Sequence, residues 1–352
     1  MFRLAPYAIF LLLGNCYLLE AAGKNDVNEQ KVRRDKEPVL WRVPQNIASM
    51  DLSYGPGGRE HEPQGPFVFV EEVSGGSSPK FEIRDARGVT WRVKLGEEAR
   101  PETAATRLIW AVGYFADETY LVPTLVVQGL KDLSRGKELV SPGGVVHSAR
   151  LERKIPGQKK VGEWDWKKNP FVGKRELDGL RVLMALINNW DLKTSNNAIY
   201  EVSGEQRYVV SDLGGTFGKT GSSFTRSKGD TRDYTESKFI KRVSGKGVDF
   251  YLASRPFFLT AVYWPYYQDR ASMEGIVENV PLPHVEWIQL YLDQLSRQQL
   301  ESAFRAAGYS DQEITAFASA LQRRIRELGT IREGGPGRIT EQTTKVLRPS
   351  VR

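Results

Sequence analysis

The chain of 352 residues has one cysteine, Cys16, and three histidines, His61, His147 and His284. A lone cysteine allows no internal disulfide, so no cross-link can make up for a weak core. The histidines are widely separated and have no ligand partner at helical or turn spacing. That argues against a zinc site and against a histidine-based nucleophilic triad. The apolar run Leu4 to Leu19, interrupted by Asn15, falls short of the ~20 residues that a membrane-spanning helix needs. No internal repeat is present.

Apolar residues make up 40% of the chain and aromatics 11%, enough to bury the core of one large or two moderate domains. The net charge of +7 and pI near 9.3 favour contact with phosphates, acidic proteins or anionic lipid surfaces. Arg3, the apolar run and the small residues Ala21-Ala22-Gly23 together read as a secretory signal peptide over residues 1–23. The expected location is therefore exported, periplasmic or extracellular, and membrane-anchored if the signal is uncleaved. Residues 24–65 read as a partly disordered linker, because Asn25 to Glu37 is almost free of apolar side chains.

From Pro66 the pattern changes. Phe67 to Val73, Lys80 to Asp85 and Val89 to Leu95 alternate as strands, separated by a Gly/Ser turn and by Ala86-Arg87-Gly88. A helix is predicted over Pro101 to Val112 and is ended by Gly113; strands follow at Leu121 to Gln128 and Val145 to Glu152. The loop 129–144 between them is where two lobes are expected to meet. Lys154 to Lys168 interleaves lysines with Trp164 and Trp166, and the favoured reading is a loop that tucks two indoles onto a helical lobe. No nucleic acid partner is expected. Phe250 to Tyr267 is strongly aromatic and predicted buried. Helices are predicted over Pro283 to Leu295, Ser296 to Ala307 and Ser310 to Leu328, the last with a capping box at Ser310 and Glu313. Arg332 to Arg352 reads as a disordered tail.

The stretch that organises the rest runs from Leu180 to Gly218. It begins as a helix, with Leu177, Leu180, Leu183 or Met184 and Ile187 on one face, breaks into Asp191, Lys193 and Asn196 in the pattern D-x-K-x-x-N, and continues as a hairpin that ends in Ser211-Asp212-Leu213-Gly214. This order resembles the catalytic and metal-binding loops of protein kinases. Phosphoryl transfer needs a carboxylate to accept the substrate hydroxyl's proton, and an amide oxygen with a second carboxylate to hold magnesium against the phosphates. Asp191 takes the first role, with Lys193 beside it; Asn196 and Asp212 take the others. Upstream, Gly75, Gly76, Ser77 and Ser78 can present backbone N–H groups to phosphate. Lys94 ends the third strand, and Glu102, in the first turn of the next helix, is the carboxylate to hold it.

Gly75-Gly76-Ser77-Ser78-Pro79-Lys80, then Trp91-Arg92-Val93-Lys94, and Asn189-x-Asp191-x-Lys193-x-x-Asn196 are similar to motifs of HipA-type bacterial serine/threonine kinases. That family usually has His where Lys193 stands. The core is shared more distantly with phosphoinositide lipid kinases. The resemblance covers about Phe67 to Gly218. It implies an α+β, two-lobed protein-kinase-like fold, with a small antiparallel sheet lobe over 66–128 and a mainly helical C-lobe over 129–331. It further implies ATP and Mg2+ as cofactors and a hydroxyl acceptor on a protein, lipid or small molecule. The segment Lys219 to Lys246, basic and rich in Gly, Ser and Thr, stands where kinases carry an activation segment; Ser222, Ser223 and Thr225 are candidate phosphorylation sites, and its charge favours an acidic or lipid acceptor. Membrane association is expected only through the N-terminal segment or such a basic surface.

Three rivals remain. Gly214-Gly-Thr-Phe-Gly-Lys-Thr220 resembles a P-loop but is one residue short, since its first glycine would need to replace Leu213, and Gly221 to Thr231 is too polar for the helix such a loop opens. A catalytically inactive kinase-fold binding module outside the cytoplasm is the second, and nucleotidyl rather than phosphoryl transfer the third.

Overall fold

The computed structural model describes residues 36–75, 78–130, 133–219, 226–245, 247–252, 268 and 271–333. The signal segment, Gly76, Ser77, Ser222, Ser223 and Thr225, most of the 250–267 aromatic stretch and nearly all of the C-terminal tail lie outside these residues. No helix among the described residues is long and apolar enough to cross a membrane.

The first described element corrects the linker expectation. Strand β1 (Glu37–Val39) pairs in parallel with a strand far along the chain, Glu37 opposite Glu205. Leu40, Ile47 and Leu52 are buried, and the Gln299 amide donates to the carbonyls of Ile47 (2.7 Å) and Met50 (3.0 Å). The buried residues Leu40, Ile47 and Leu52 of this strap are seven and five positions apart. They therefore show no period along the sequence, and a pattern search reads the stretch as unstructured.

Strands β2 (Phe67–Glu72), β3 (Lys80–Arg84) and β4 (Thr90–Lys94) run antiparallel in turn. The β3–β4 turn is closed by the buried Asp85 carboxylate, which accepts from the amides of Arg87 and Val89 and from Trp91 Nε1. Gly88 supplies the left-handed residue there, at φ 79°. Helix α1 (Ala99–Ala111) buries Ala104, Ala105, Leu108 and Ile109, as its spacing predicts. Gly113 ends it at φ 97°; a Cβ there would lie 2.2 Å from the Arg42 carbonyl, so the strap can cross only a glycine.

Strands β5 (Thr119–Gln128), β6 (Val140–Ser141) and β7 (Val145–Arg153) complete this lobe. β7 pairs antiparallel with both β5 and β4, and β5 pairs in parallel with β2 through Phe67 opposite Val127, so β2-β3-β4-β7-β5 forms a closed ring around Phe81, Ile83, Trp91, Val93, Leu125 and Leu151. The sheet lobe therefore extends to Arg153 rather than stopping at 128, and its sheet is mixed at the closing pair. Residues 129–144 are an excursion between two strands of the ring; the crossing to the other lobe comes after β7.

In the second lobe β8 (Lys159–Gly162) leads to helix α2 (Arg175–Leu186), and the hairpin β9 (Asn197–Val202) and β10 (Glu205–Val210) stands between β1 and β8 in one sheet. Trp164 and Trp166 are buried against each other, rings 4.8 Å apart, with Trp164 Nε1 donating to the Val209 carbonyl. The indoles are core, as the favoured reading has it. Helix α3 (Thr231–Glu236), capped by Asp230, and the hairpin β11 (Ile240–Ser244) and β12 (Gly247–Phe250) precede helices α4 (Leu282–Leu292), α5 (Arg297–Ala306) and α6 (Asp311–Glu333). Ser296 with Gln299 and Ser310 with Glu313 form the two capping boxes that start α5 and α6. The result is α+β and two-lobed, a small sheet lobe with one packed helix and a mainly helical lobe, the kinase-like arrangement that the order of motifs predicts.

Two buried groups tie α2, α3 and the loop after β10 to the C-terminal helices. Phe217 is edge-on to Tyr234, Phe304 and Phe317, with ring centroids at 5.2, 5.1 and 5.7 Å. The Arg324 guanidinium, 1% exposed, donates to the Leu186 carbonyl (2.7 Å) at the end of α2 and to Ser237 Oγ (2.6 Å) at the end of α3. Emptying the first site leaves a cavity at the meeting point of three elements. Phe217→Ala should therefore lower unfolding stability by about 3–5 kcal/mol, measured by urea denaturation; a loss under about 1 kcal/mol would contradict the central role given to this ring.

Candidate active site

Lys94 is the last residue of β4, and strand alternation points it away from the ring interior that Val93 and Trp91 fill. Its ammonium meets three carboxylates: Glu98 Oε2 at 2.6 Å, Glu102 Oε2 at 2.9 Å and Asp212 Oδ1 at 3.1 Å. The other Glu102 oxygen takes the Arg150 guanidinium from β7 at 3.1 Å, and Arg150 also pairs with Glu152 at 3.1 Å. Burial opposes the charge on Lys94, but Glu102, Asp212 and Glu98 outweigh it and hold the ammonium protonated above its ordinary range. Burial likewise raises the Glu102 carboxyl, against the pull of Arg150 and Lys94. Glu98 goes the other way: burial would raise it, but Lys94 and Lys228 hold it well below the usual carboxylate range. The expected Lys94–Glu102 pair is thus present, and Asp212 joins it directly.

Glu98, Arg150 and Lys228 are the parts that sequence reasoning missed. Glu98 is the residue just before α1, yet its side chain makes no cap bond to the helix, because Lys94, Ser78 Oγ (2.7 Å) and Lys228 Nζ (2.5 Å) occupy it. Ser78 is therefore tied to the lysine through Glu98. Gly75 stands at φ 101° and its carbonyl accepts from Arg135 Nη2 at 3.1 Å. The Gly76 and Ser77 calls lie outside the described residues. Arg150 left no local signal, because it stands directly opposite Lys94 on a strand that only the β4–β7 pairing makes its neighbour.

The two polar loops interlock through Asn196. Its Nδ2 donates to the Asp191 carbonyl at 2.7 Å, and its own carbonyl accepts from the amides of Ser211 (2.9 Å) and Asp212 (3.1 Å). Asp191 N is held by Asn189 Oδ1 at 3.1 Å, and Lys193 Nζ lies 2.8 Å from Asp191 Oδ1. Two glycines let the loop after Asp212 slip between these groups. A Cβ on Gly214 would come within 2.7 Å of Glu98 Cβ, and one on Gly215 within 3.0 Å of Asp191 Cβ. The structure thus brings Lys94, Glu102 and Asp212 into contact and joins Asp191, Lys193 and Asn196 to them by hydrogen bonds.

The cleft beside Lys94 has a volume of about 180 Å3 and is lined by Lys80, Arg150, Tyr200 and Asp212, among others. Among the described residues no group of three or more His, Cys, Asp or Glu is placed to hold a metal. The expected ligands Asn196 and Asp212 fit a different pattern. Asp212 turns Oδ1 to Lys94 and to the Gly214 amide (3.1 Å), which leaves its second oxygen, with the Asn196 Oδ1, as protein donors for a hard cation. Magnesium commonly takes one or two protein oxygens and completes its shell with phosphate oxygens and water.

Removing Arg150 leaves Glu102 buried with Lys94 as its remaining close cation. Arg150→Met should cost about 3–5 kcal/mol of stability, as expected for breaking a buried ion pair from one side, read by chemical denaturation. A change within about 0.5 kcal/mol, the range of ordinary surface substitutions, would show that the pair does not matter to the fold.

No family model matches the chain, and no curated protein matches it. Among solved structures the chain is similar to the Helicobacter pylori proinflammatory kinase CtkA, at 12% identity, with 73% of this chain and 95% of that one covered and a TM-score of 0.33. It is also similar to the Golgi casein kinase, at 10% identity over 96% of this chain and 95% of that one, TM-score 0.41. The same kinase with Mn/ADP bound matches at 10% identity over 93% of this chain and 92% of that one, TM-score 0.40.

Proposed function

We propose that the chain is an ATP- and Mg2+-dependent phosphotransferase that moves the γ-phosphoryl group to a hydroxyl on a protein, lipid or small-molecule acceptor. The observation that carries this reading is the Lys94 ammonium held by Glu102 while in contact with Asp212. A lysine so fixed can lie along the phosphates, and the carboxylate beside it would help to hold the divalent cation that such chemistry uses.

In this reading Lys94 binds and orients the phosphate chain, and Asn196 and Asp212 hold magnesium. The metal, when bound, neutralises charge on the β and γ phosphates. Asp191 accepts the proton of the acceptor hydroxyl as its oxygen bonds to the γ-phosphorus and the bond to the β-bridging oxygen breaks, so that ADP leaves. Lys193, 2.8 Å from Asp191 Oδ1, keeps that carboxylate aimed.

The apolar N-terminal segment makes an exported location part of the proposal. The basic 219–246 segment supports an acidic or lipid acceptor, although Lys241 pairs with Glu278 at 2.5 Å and Arg242 with Asp249 at 2.7 Å, so part of its charge is already matched. One observation favours a second reading, an inactive kinase-fold binding module: Lys94 is also held by Glu98, which Lys228 in turn clamps.

Mg-ATP should raise the melting temperature of the protein, and Asp212→Ala should abolish the shift. Asp191→Ala should retain the shift and stop turnover. Equal loss of binding in both variants would contradict the roles assigned, and a shift without any turnover would favour the binding module. For the acceptor, neutralising Lys238, Lys241 and Arg242 together should reduce transfer to acidic or anionic-lipid acceptors several-fold, an estimate based on surface steering; transfer unchanged at low salt would argue against that acceptor class.

A further inference from the structure

A second cavity, of about 330 Å3, lies behind the crossing between the lobes. The strap at 42–44, the end of α1 with the loop 113–118, the crossing itself at Ile155 and Gln158, and the β9–β10 hairpin wall it. It is separate from the cleft beside Lys94 but shares the side chains of Asp117 and Tyr200 with it. Most of the lining is apolar, with Met50, Trp110, Phe115 and Val202 prominent. A largely apolar cavity of this size with few polar groups is the ordinary form of a small-molecule site.

Among the described residues Arg42, Arg207, Glu118 and Asp117 are the charged groups that line it, and the first three are matched. Arg42 and Arg207 both pair with Glu205, and both guanidiniums lie over the Phe115 ring, 5.4 and 5.0 Å from its centroid. Glu118 accepts from Arg153 at 3.0 Å and lies 2.9 Å from His61 Nδ1. Asp117 has no hydrogen bond and no ion pair among the described residues. Arg150 and Arg92 are near enough to be felt by its carboxyl, but they are committed elsewhere, Arg150 to Glu102 and Glu152, Arg92 to Glu82 and Glu152. Burial, aided by Glu152 and Glu102, raises the Asp117 carboxyl well above its ordinary range, as expected of an acid that lacks a counter-ion.

What the cavity lacks is therefore a cation. A carboxylate taken out of water is costly until a cation pairs with it, and aromatic faces around the pair favour an ammonium group. We infer that this cavity is a ligand site for a small organic cation, a protonated amine on an apolar body, with the ammonium on Asp117 and the body against the apolar walls. The site does not depend on the nucleotide reading above, and its occupant would touch the strap, the crossing and both lobes at once.

The test is isothermal titration of the full chain with phenethylamine, and with phenethyl alcohol as the uncharged control of the same shape. The parent protein should bind the amine about ten-fold or more tighter than the alcohol, the size of one charge-assisted hydrogen bond. Asp117→Asn should erase that preference and leave the affinity for the alcohol unchanged. Val202 lines this cavity and not the cleft, so Val202→Trp should abolish binding of both probes. If the tryptophan variant melts early, Asp117→Asn with the alcohol control decides alone. No binding of the amine to the parent protein, equal affinity for the two probes, or a preference that survives Asp117→Asn would overturn the site. So would amine binding retained by a folded Val202→Trp, which would put the amine elsewhere on the protein.

Discussion

One buried ammonium determines how the two lobes meet. Lys94 comes from the sheet lobe, Glu98 and Glu102 from the start of its helix, and Asp212 from the loop that follows the hairpin of the other lobe. A charge buried this deeply is tolerated only when its partners are close and themselves satisfied. Arg150 satisfies Glu102, and Ser78 and Lys228 satisfy Glu98. The positions of α1, of Ser78 and of the D-L-G loop are therefore set by one electrostatic arrangement rather than by separate contacts. Gly214 is part of the same constraint, since any side chain there would push Glu98 off the lysine.

The parts of this site that lie close together in sequence were legible. D-x-K-x-x-N, the hairpin and D-L-G occupy one continuous stretch, and their periodicity changes from helical to alternating where the structure changes. Lys94 and Glu102 were legible as well, because a lysine at a strand end and a glutamate in the next helical turn are eight residues apart. Glu98 was not, because the residue before a helix is ordinarily read as a cap. Arg150 and Arg92 were not, because their meaning depends on which strands become neighbours, and the pairing of β4 with β7 joins segments separated by more than fifty residues.

The same reason explains the two fold corrections. The strap from Glu37 to Leu52 buries Leu40, Ile47 and Leu52 singly along the chain, so no local pattern announces it. The 129–144 segment has loop composition, but composition cannot say that it carries the short strand β6 or that the chain then returns to the same sheet. Trp164 and Trp166 were easier, since two indoles next to a helical lobe are more economically buried than exposed.

The parallel pairing of β2 with β5 has a mechanical meaning. A curled open sheet can flex at its free edge, and a turn on that edge can lift like a flap. Here β2 pairs with β3 along its length and with β5 at Phe67 and Val68, so the start of β2 is fixed in a closed hoop. A hoop resists local bending and moves as a whole. Widening of the cleft therefore falls to the chain after Arg153 and to the strap that crosses beside it, which makes the sheet lobe a rigid lever and those two crossings its hinge.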